Sequence, residues 1–141
     1  MKILFVCTGN TCRSPMAELY FNKCRKQLGL SACARSAGLA TQDGMPISAN
    51  AFMVMQSEKI DASNFRSTQI TFDMLENSDR VYTMTSSHKA MLIKAVPQFA
   101  PKISTLLPTD VSDPFGGDLQ CYTATFAMMK KQLEKLAAQF D

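Results

Sequence analysis

Short apolar runs alternate along this chain with longer stretches in which apolar positions recur at helical spacing. Lys2 to Cys7 is the first run, continuous enough for a strand buried on both faces. A helical stretch follows from Ser14 to about Gly29, closed by the glycine. Cys33 to Ala37 is predicted as a second short strand, leading into a turn around Gly38 and Gly44. Ser48 to about Gln56 reads as a helix capped by Ser48, and Thr71 to Asn77 as a short helix capped by Thr71. Arg80 to Met84 is a third strand, Ser86 to about Val96 a helix, and Ile103 to Leu106 a fourth strand. After a loop from Leu107 to Asp118, Leu119 to Phe140 is a long amphipathic helix with Leu119, Phe126, Leu133 and Leu136 on its core face.

Strands alternating with helices predict an α/β fold, a parallel sheet with helices on both faces. No repeat, low-complexity tract or linker interrupts the sequence, so residues 1–141 are read as one domain. A chain of this length buries roughly two thirds of its unfolded surface. In an open parallel sheet the ligand binds outside the carboxyl ends of the strands, where the strand order reverses. Cys7 closes the first strand and stands where that rule puts a site.

Charge and composition narrow the classes that remain. The net charge is +3, with Lys23, Arg25 and Lys26 on the first helix and Lys130, Lys131 and Lys135 on the last. Both clusters are expected as solvated helix faces, too mild to indicate nucleic acid, although a slight basic bias suits a phosphorylated substrate. The five cysteines, Cys7, Cys12, Cys24, Cys33 and Cys121, are odd in number and match no zinc spacing, so free thiols in a reducing compartment are expected. His88 is the single histidine and cannot anchor a metal site alone. No apolar run reaches membrane-spanning length and no signal-peptide pattern precedes the first strand, so a cytoplasmic protein is expected. Met53, Met55, Met74, Met84, Met91, Met128 and Met129 fall at helix or strand positions and are expected to fill the core.

The chemistry lies between the first strand and the first helix, in Cys7-Thr8-Gly9-Asn10-Thr11-Cys12-Arg13-Ser14-Pro15. Pro15 falls in the first helical turn, where its missing N–H costs nothing. A tight loop entering a helix presents successive backbone N–H groups, backed by the helix dipole, to an anion. Gly9 allows close approach of the backbone, and Asn10 is a residue type that tolerates the left-handed conformation. A phosphate cradled by residues Thr8 to Ser14 would meet Cys7 and Arg13 together. The helix N-terminus and the cation favour a thiolate at Cys7, which would attack phosphorus while the guanidinium clamps two oxygens. Ser14 could donate a hydrogen bond to that thiolate. The lysine-type nucleotide loop is excluded, since Gly-Lys-Ser/Thr is absent.

The stretch Val6 to Glu18 resembles the signature of the low-molecular-weight protein tyrosine phosphatase family. The likeness continues through Ser36-Ala37-Gly38, Asp79 to Thr85, and Asp113-Pro114-Phe115-Gly116-Gly117. It implies a three-layer flavodoxin-like fold with a four-stranded sheet. It also implies that Asp113 is the general acid, protonating the leaving group and then, as carboxylate, activating the water that hydrolyses phosphocysteine. That cycle needs no metal or cofactor. Ser36 matches the family serine that bonds the loop asparagine and, with Asn10 and Ser14, holds the cradle in shape. The family usually adds a histidine where this chain reads Ser63-Asn64-Phe65-Arg66-Ser67, so either Asn64 substitutes or that support is missing.

Substrate choice rests on Thr11 and Phe115. In the tyrosine-directed branch a larger aliphatic residue stands at the position of Thr11, and a second aromatic at that of Gly116. The threonine and the single aromatic here resemble the bacterial protein arginine phosphatases. A carboxylate, Asp113 or less directly Asp118, could pair with a substrate guanidinium. Phosphoarginine on a protein is therefore the favoured substrate, phosphotyrosine the alternative, and a monomer is expected. Arsenate reduction would need two further neighbouring cysteines, which Cys24, Cys33 and Cys121 do not supply in sequence. An inactive phosphate-binding module fits poorly with intact Cys7, Arg13 and Asp113. Cys12, in the same loop as Cys7, is a candidate redox partner that traps a sulfenic acid as a disulfide.

Overall fold

The computed structural model describes residues 1–140. Four parallel strands, β1 (Ile3–Cys7), β2 (Ala34–Gly38), β3 (Arg80–Thr83) and β4 (Ile103–Thr105), form a sheet of order β2-β1-β3-β4. The chain leaves β1 for β2 on one side and returns to β3 on the other, so the strand order reverses beside β1. Its register pairs Cys7 with Gly38 and Val6 with Thr83.

The connecting helices are α1 (Arg13–Gln27), α2 (Ala49–Ser57), α3 (Phe72–Asn77), α4 (Ser86–Ala95) and α5 (Leu119–Gln139), with a 3-10 turn at Pro97–Lys102. Alternation along β1 sorts them into two layers. Ile3, Phe5 and Cys7 face a core with Met16 and Phe21 of α1, Met55 of α2, and Phe126, Met129 and Leu133 of α5. Leu4 and Val6 face the other core, with Leu75 of α3, Val81, Leu92 of α4 and Ile103. Every β1 residue is buried, as its unbroken apolar run requires. The α/β reading with helices on both faces is what the structure has.

Several surface expectations fail for tertiary reasons. Arg25 is 3 % exposed rather than solvated. Its guanidinium donates to the carbonyls of Ser31, Ala137 and Phe140, closing the carboxyl end of α5 from a neighbouring helix. Leu119, in the first turn of α5, is 39 % exposed, while Phe126, Leu133 and Leu136 are buried as expected. Met55, Met84 and Met129 are fully buried, and Met74 packs partly against the second core, but Met53, Met91 and Met128 lie on outer helix faces. Ser48 stands at the N-cap of α2 without a side-chain capping bond, its hydroxyl instead meeting Cys12 Sγ at 3.5 Å. Thr71 caps α3 as expected, accepting from the Met74 N–H. Strand and helix ends otherwise fall within one or two residues of the expected ones, the usual fraying margin.

Candidate phosphate-transfer site

The loop between β1 and α1 stands at the carboxyl end of β1, beside the reversal of strand order. Residues 7–13 line a cavity of about 650 Å3, with Ala40, Thr41, Gln42 and Met45 on one wall and Asp113 and Phe115 on the other. Such a volume suits a single side chain and its phosphoryl group.

Asn10 shapes the loop. It adopts φ 54°, the left-handed conformation expected of this residue type, and is fully buried. Its Nδ2 donates to Ser14 Oγ at 2.8 Å and to Ser36 Oγ at 2.9 Å, and its Oδ1 accepts the Thr68 N–H at 2.8 Å. Both amide hydrogens and the carbonyl are thus satisfied, which fixes the loop. Ser36 passes its own hydrogen to Glu18 Oε1 at 2.7 Å. Burial of Glu18 pushes its carboxyl above the usual range, opposed by the Ser36 bond and by Arg35. Asn64 is exposed and makes no side-chain hydrogen bond among the described residues, so it does not replace the family histidine. The third bond to the Asn10 side chain comes from the Thr68 backbone.

Cys7 is 2 % exposed at the floor of this cavity. Its Sγ lies 2.8 Å from Ser14 Oγ and accepts the Asn10 N–H at 3.3 Å. Because Asn10 already donates to Ser14 Oγ, the serine's hydrogen is free to point at sulfur. Ser14 itself is fully buried behind the loop, so its side chain serves the sulfur and not the anion directly.

Arg13 and Asp113 close the arrangement from far apart in sequence. Arg13 is 4 % exposed, donates from Nη1 to the Val111 carbonyl at 3.0 Å, and places Nη2 3.6 Å from Asp113 Oδ2. Val111 is tied to the end of β3 by its N–H to the Met84 carbonyl at 2.9 Å, which anchors the acid-bearing loop. Asp113 Oδ1 accepts the Phe115 N–H, and the Asp113 side chain remains 54 % exposed toward the cavity. Phe115 is 79 % exposed and is followed by Gly116 at φ 80°, a turn that favours glycine. Asp118 caps α5 by accepting the Cys121 N–H, which holds its carboxyl below the usual range and commits it away from a substrate guanidinium.

Cys12 lines the same cavity as Cys7, with its Sγ 3.3 Å from Tyr122 Oη. Cys24 is buried, Cys33 half-buried and Cys121 exposed, all three as free thiols. Three contributors escaped the sequence reading. Glu18 lies inside the quoted signature with no partner there to suggest its part, and His88, whose Nε2 stands 2.8 Å from Thr8 Oγ1 of the loop, offers in sequence only a lone metal-ligand type. Gly38 was read as a turn, but a Cβ there would stand 2.7 Å from the Thr8 carbonyl, so glycine lets β2 approach the loop.

A nucleophile-type sulfur, a clamped cation and a carboxylate therefore face one anion-sized cradle. Comparison with known proteins points the same way. A family model described as low molecular weight phosphotyrosine protein phosphatase matches residues 2–141. A protein-arginine-phosphatase of Bacillus subtilis (strain 168) is 37% identical over 145 residues, covering 99% of this chain and 96% of the relative. Among solved structures, a low molecular weight protein tyrosine phosphatase from T. tengcongensis aligns with a TM-score of 0.94 at 40% identity, over 99% of both chains. A mutant YwlE arginine phosphatase with a phosphorylated active-site serine aligns with a TM-score of 0.93 at 35% identity, over 99% of this chain and 95% of that one. With the family match beginning at the second residue and running to the last, the chain belongs to the low molecular weight phosphotyrosine protein phosphatase family.

Proposed function

We propose that this protein hydrolyses phosphorylated protein side chains through a phosphocysteine on Cys7, with phosphoarginine as the preferred substrate. The observation that carries the chemistry is the convergence of Cys7 Sγ, the Arg13 guanidinium and the Asp113 carboxylate on one cavity. Loop N–H groups from residues 8–14 and Arg13 hold the phosphoryl oxygens and take up the charge that develops on them. The Cys7 thiolate, supported by Ser14, forms the S–P bond as the P–N or P–O bond breaks. Protonated Asp113 delivers its proton to the departing nitrogen or oxygen. As carboxylate it then takes a proton from water, whose oxygen attacks phosphorus and releases phosphate and the thiolate.

Thr11 supports the arginine assignment. It is half-buried on the cavity lining, and only Phe115 offers an aromatic face there, without a second ring to sandwich a phenol. The exposed Asp113 carboxyl can accept a guanidinium N–H on one oxygen while its hydroxyl faces the departing nitrogen, and has nothing comparable to offer a phenyl ring. The Bacillus relative's name agrees with this choice. Phosphotyrosine is the second reading, favoured by the Phe115 ring and by the name of the T. tengcongensis neighbour. Release of phosphate from a phosphoarginine and a phosphotyrosine peptide, side by side, tests the assignment. A preference of about tenfold or more for phosphoarginine is expected, and the reverse preference refutes it.

Oxidation by peroxide converts the Cys7 thiolate to sulfenic acid, and we assign Cys12 as the thiol that condenses with it, forming a disulfide and releasing water. Thiol treatment should then restore the oxidised enzyme, and equal recovery by Cys12→Ser would refute the assignment. The five free cysteines suit a reducing compartment, and we place the protein in the cytoplasm as a monomer.

A further inference from the structure

The mechanism above leaves His88 without a part, although it is the chain's one histidine and is 6 % exposed. It lies in the first turn of α4, where its N–H donates to Thr85 Oγ1 at 3.1 Å. Its ring reaches across to the phosphate loop, with Nε2 2.8 Å from Thr8 Oγ1. Nδ1 is buried and has no hydrogen-bond partner among the described residues.

That unpaired nitrogen decides the tautomer. A buried N–H without an acceptor is the rarer and costlier orphan, so the neutral ring carries its hydrogen on Nε2 and leaves a lone pair on Nδ1. Burial and the nearby Arg13 charge disfavour the imidazolium, against the weaker opposite influence of Asp110 and Asp113. Nε2–H therefore donates to Thr8 Oγ1. A hydroxyl oxygen that accepts this bond keeps its own hydrogen free. Thr8 is exposed and lines the same cavity as Cys7 and Arg13.

We propose that His88 is a positioning residue which turns the Thr8 hydroxyl into a donor aimed at the bound phosphoryl group. The loop then holds its anion with one oriented side-chain donor besides its backbone N–H groups. The proposal rests on reading the cavity as a phosphate site, but not on which side chain carries the phosphate.

The test uses the full chain and inorganic phosphate as the probe, with binding followed by calorimetry and KM and kcat measured on p-nitrophenyl phosphate. Thr8→Val should weaken phosphate binding about tenfold and His88→Leu about fivefold, the double variant binding no worse than Thr8→Val alone. His88→Gln, whose amide nitrogen can stand where Nε2 stands, should remain within about twofold of the unaltered protein. Additive losses, a Thr8→Val variant that binds phosphate normally, or a His88→Gln variant as weak as His88→Leu would each overturn the proposal. Should His88→Leu not fold, nitrogen NMR of the unaltered protein replaces it: hydrogen on Nε2 supports the proposal and hydrogen on Nδ1 overturns it. Normal phosphate binding without turnover of a phosphoarginine peptide would sink the substrate assignment alone. A protein that binds no phosphate would sink both.

Discussion

Asn10 shows how much a single residue can disclose. Its place after Gly9 suggested a left-handed conformation, and its φ of 54° follows from that placement, yet its partners at Ser36 and Thr68 come from elements distant in sequence. Cys7, Arg13 and Ser14 were legible because their chemistry is local to one strand-loop-helix passage. Glu18, His88 and the Thr68 backbone were not, because their part exists only once the sheet brings separate loops together. Thr11 carries the sharpest prediction at this scale. Thr11→Ile adds bulk to the cavity wall and should lower the ratio of phosphoarginine to phosphotyrosine turnover about tenfold, read from kcat/KM on the two peptides. An unchanged ratio would remove Thr11 from substrate choice. Asp113→Asn keeps the shape but cannot exchange a proton, and should lower kcat about 10^2- to 10^4-fold in steady-state assays.

Elements were predicted well where periodicity alone decides them, and poorly where a neighbouring element decides which face is covered. The long helix α5 is the clearest case: its buried residues Phe126, Leu133 and Leu136 follow the apolar stripe, while Leu119 does not. In that same first turn Tyr122 is buried, so which side chain is covered there depends on the neighbouring elements and not on the stripe. Arg25 reverses the usual reading of a charged helix position, since its guanidinium satisfies the carbonyls at the end of α5. Arg25→Met keeps much of the buried volume and leaves those carbonyls unpaired, so it should destabilise the fold by about 2 kcal/mol in urea titrations. A loss below about 0.5 kcal/mol would mean that water replaces the guanidinium freely. Gly38→Ala would force a Cβ to within 2.7 Å of the Thr8 carbonyl. It should therefore impair phosphate binding as well as stability, although it lies outside the signature loop.

Across the whole molecule, one buried imidazole links stability to pH. Burial and Arg13 lower the His88 value below 6.5 in the folded chain, while the unfolded chain takes up a proton at about that pH. The unfolded state therefore binds more protons between the two values, and the stability present above pH of about 6.5 is lost as pH falls through the folded value. Asp110 and Asp113 oppose the shift, and Glu18, raised by burial, acts in the other sense by losing stability as pH rises. The difference between the unaltered protein and His88→Gln isolates the imidazole: the variant should lack the acid-side loss, and parallel pH profiles would contradict the assignment. The two-layer core and parallel sheet, legible from alternating strands and helices, bring Asp113 over a loop a hundred residues earlier in the chain. That juxtaposition rests on chemistry passing through sulfur. The most direct measurement is rapid-quench mass spectrometry of Asp113→Asn mixed with p-nitrophenyl phosphate, whose leaving group departs without a proton, so that slowed hydrolysis alone lets the intermediate accumulate. One phosphoryl group mapped to Cys7, and absent from a Cys7→Ala background, is the predicted result; a phosphoryl group elsewhere, or turnover surviving in Cys7→Ala, would contradict it.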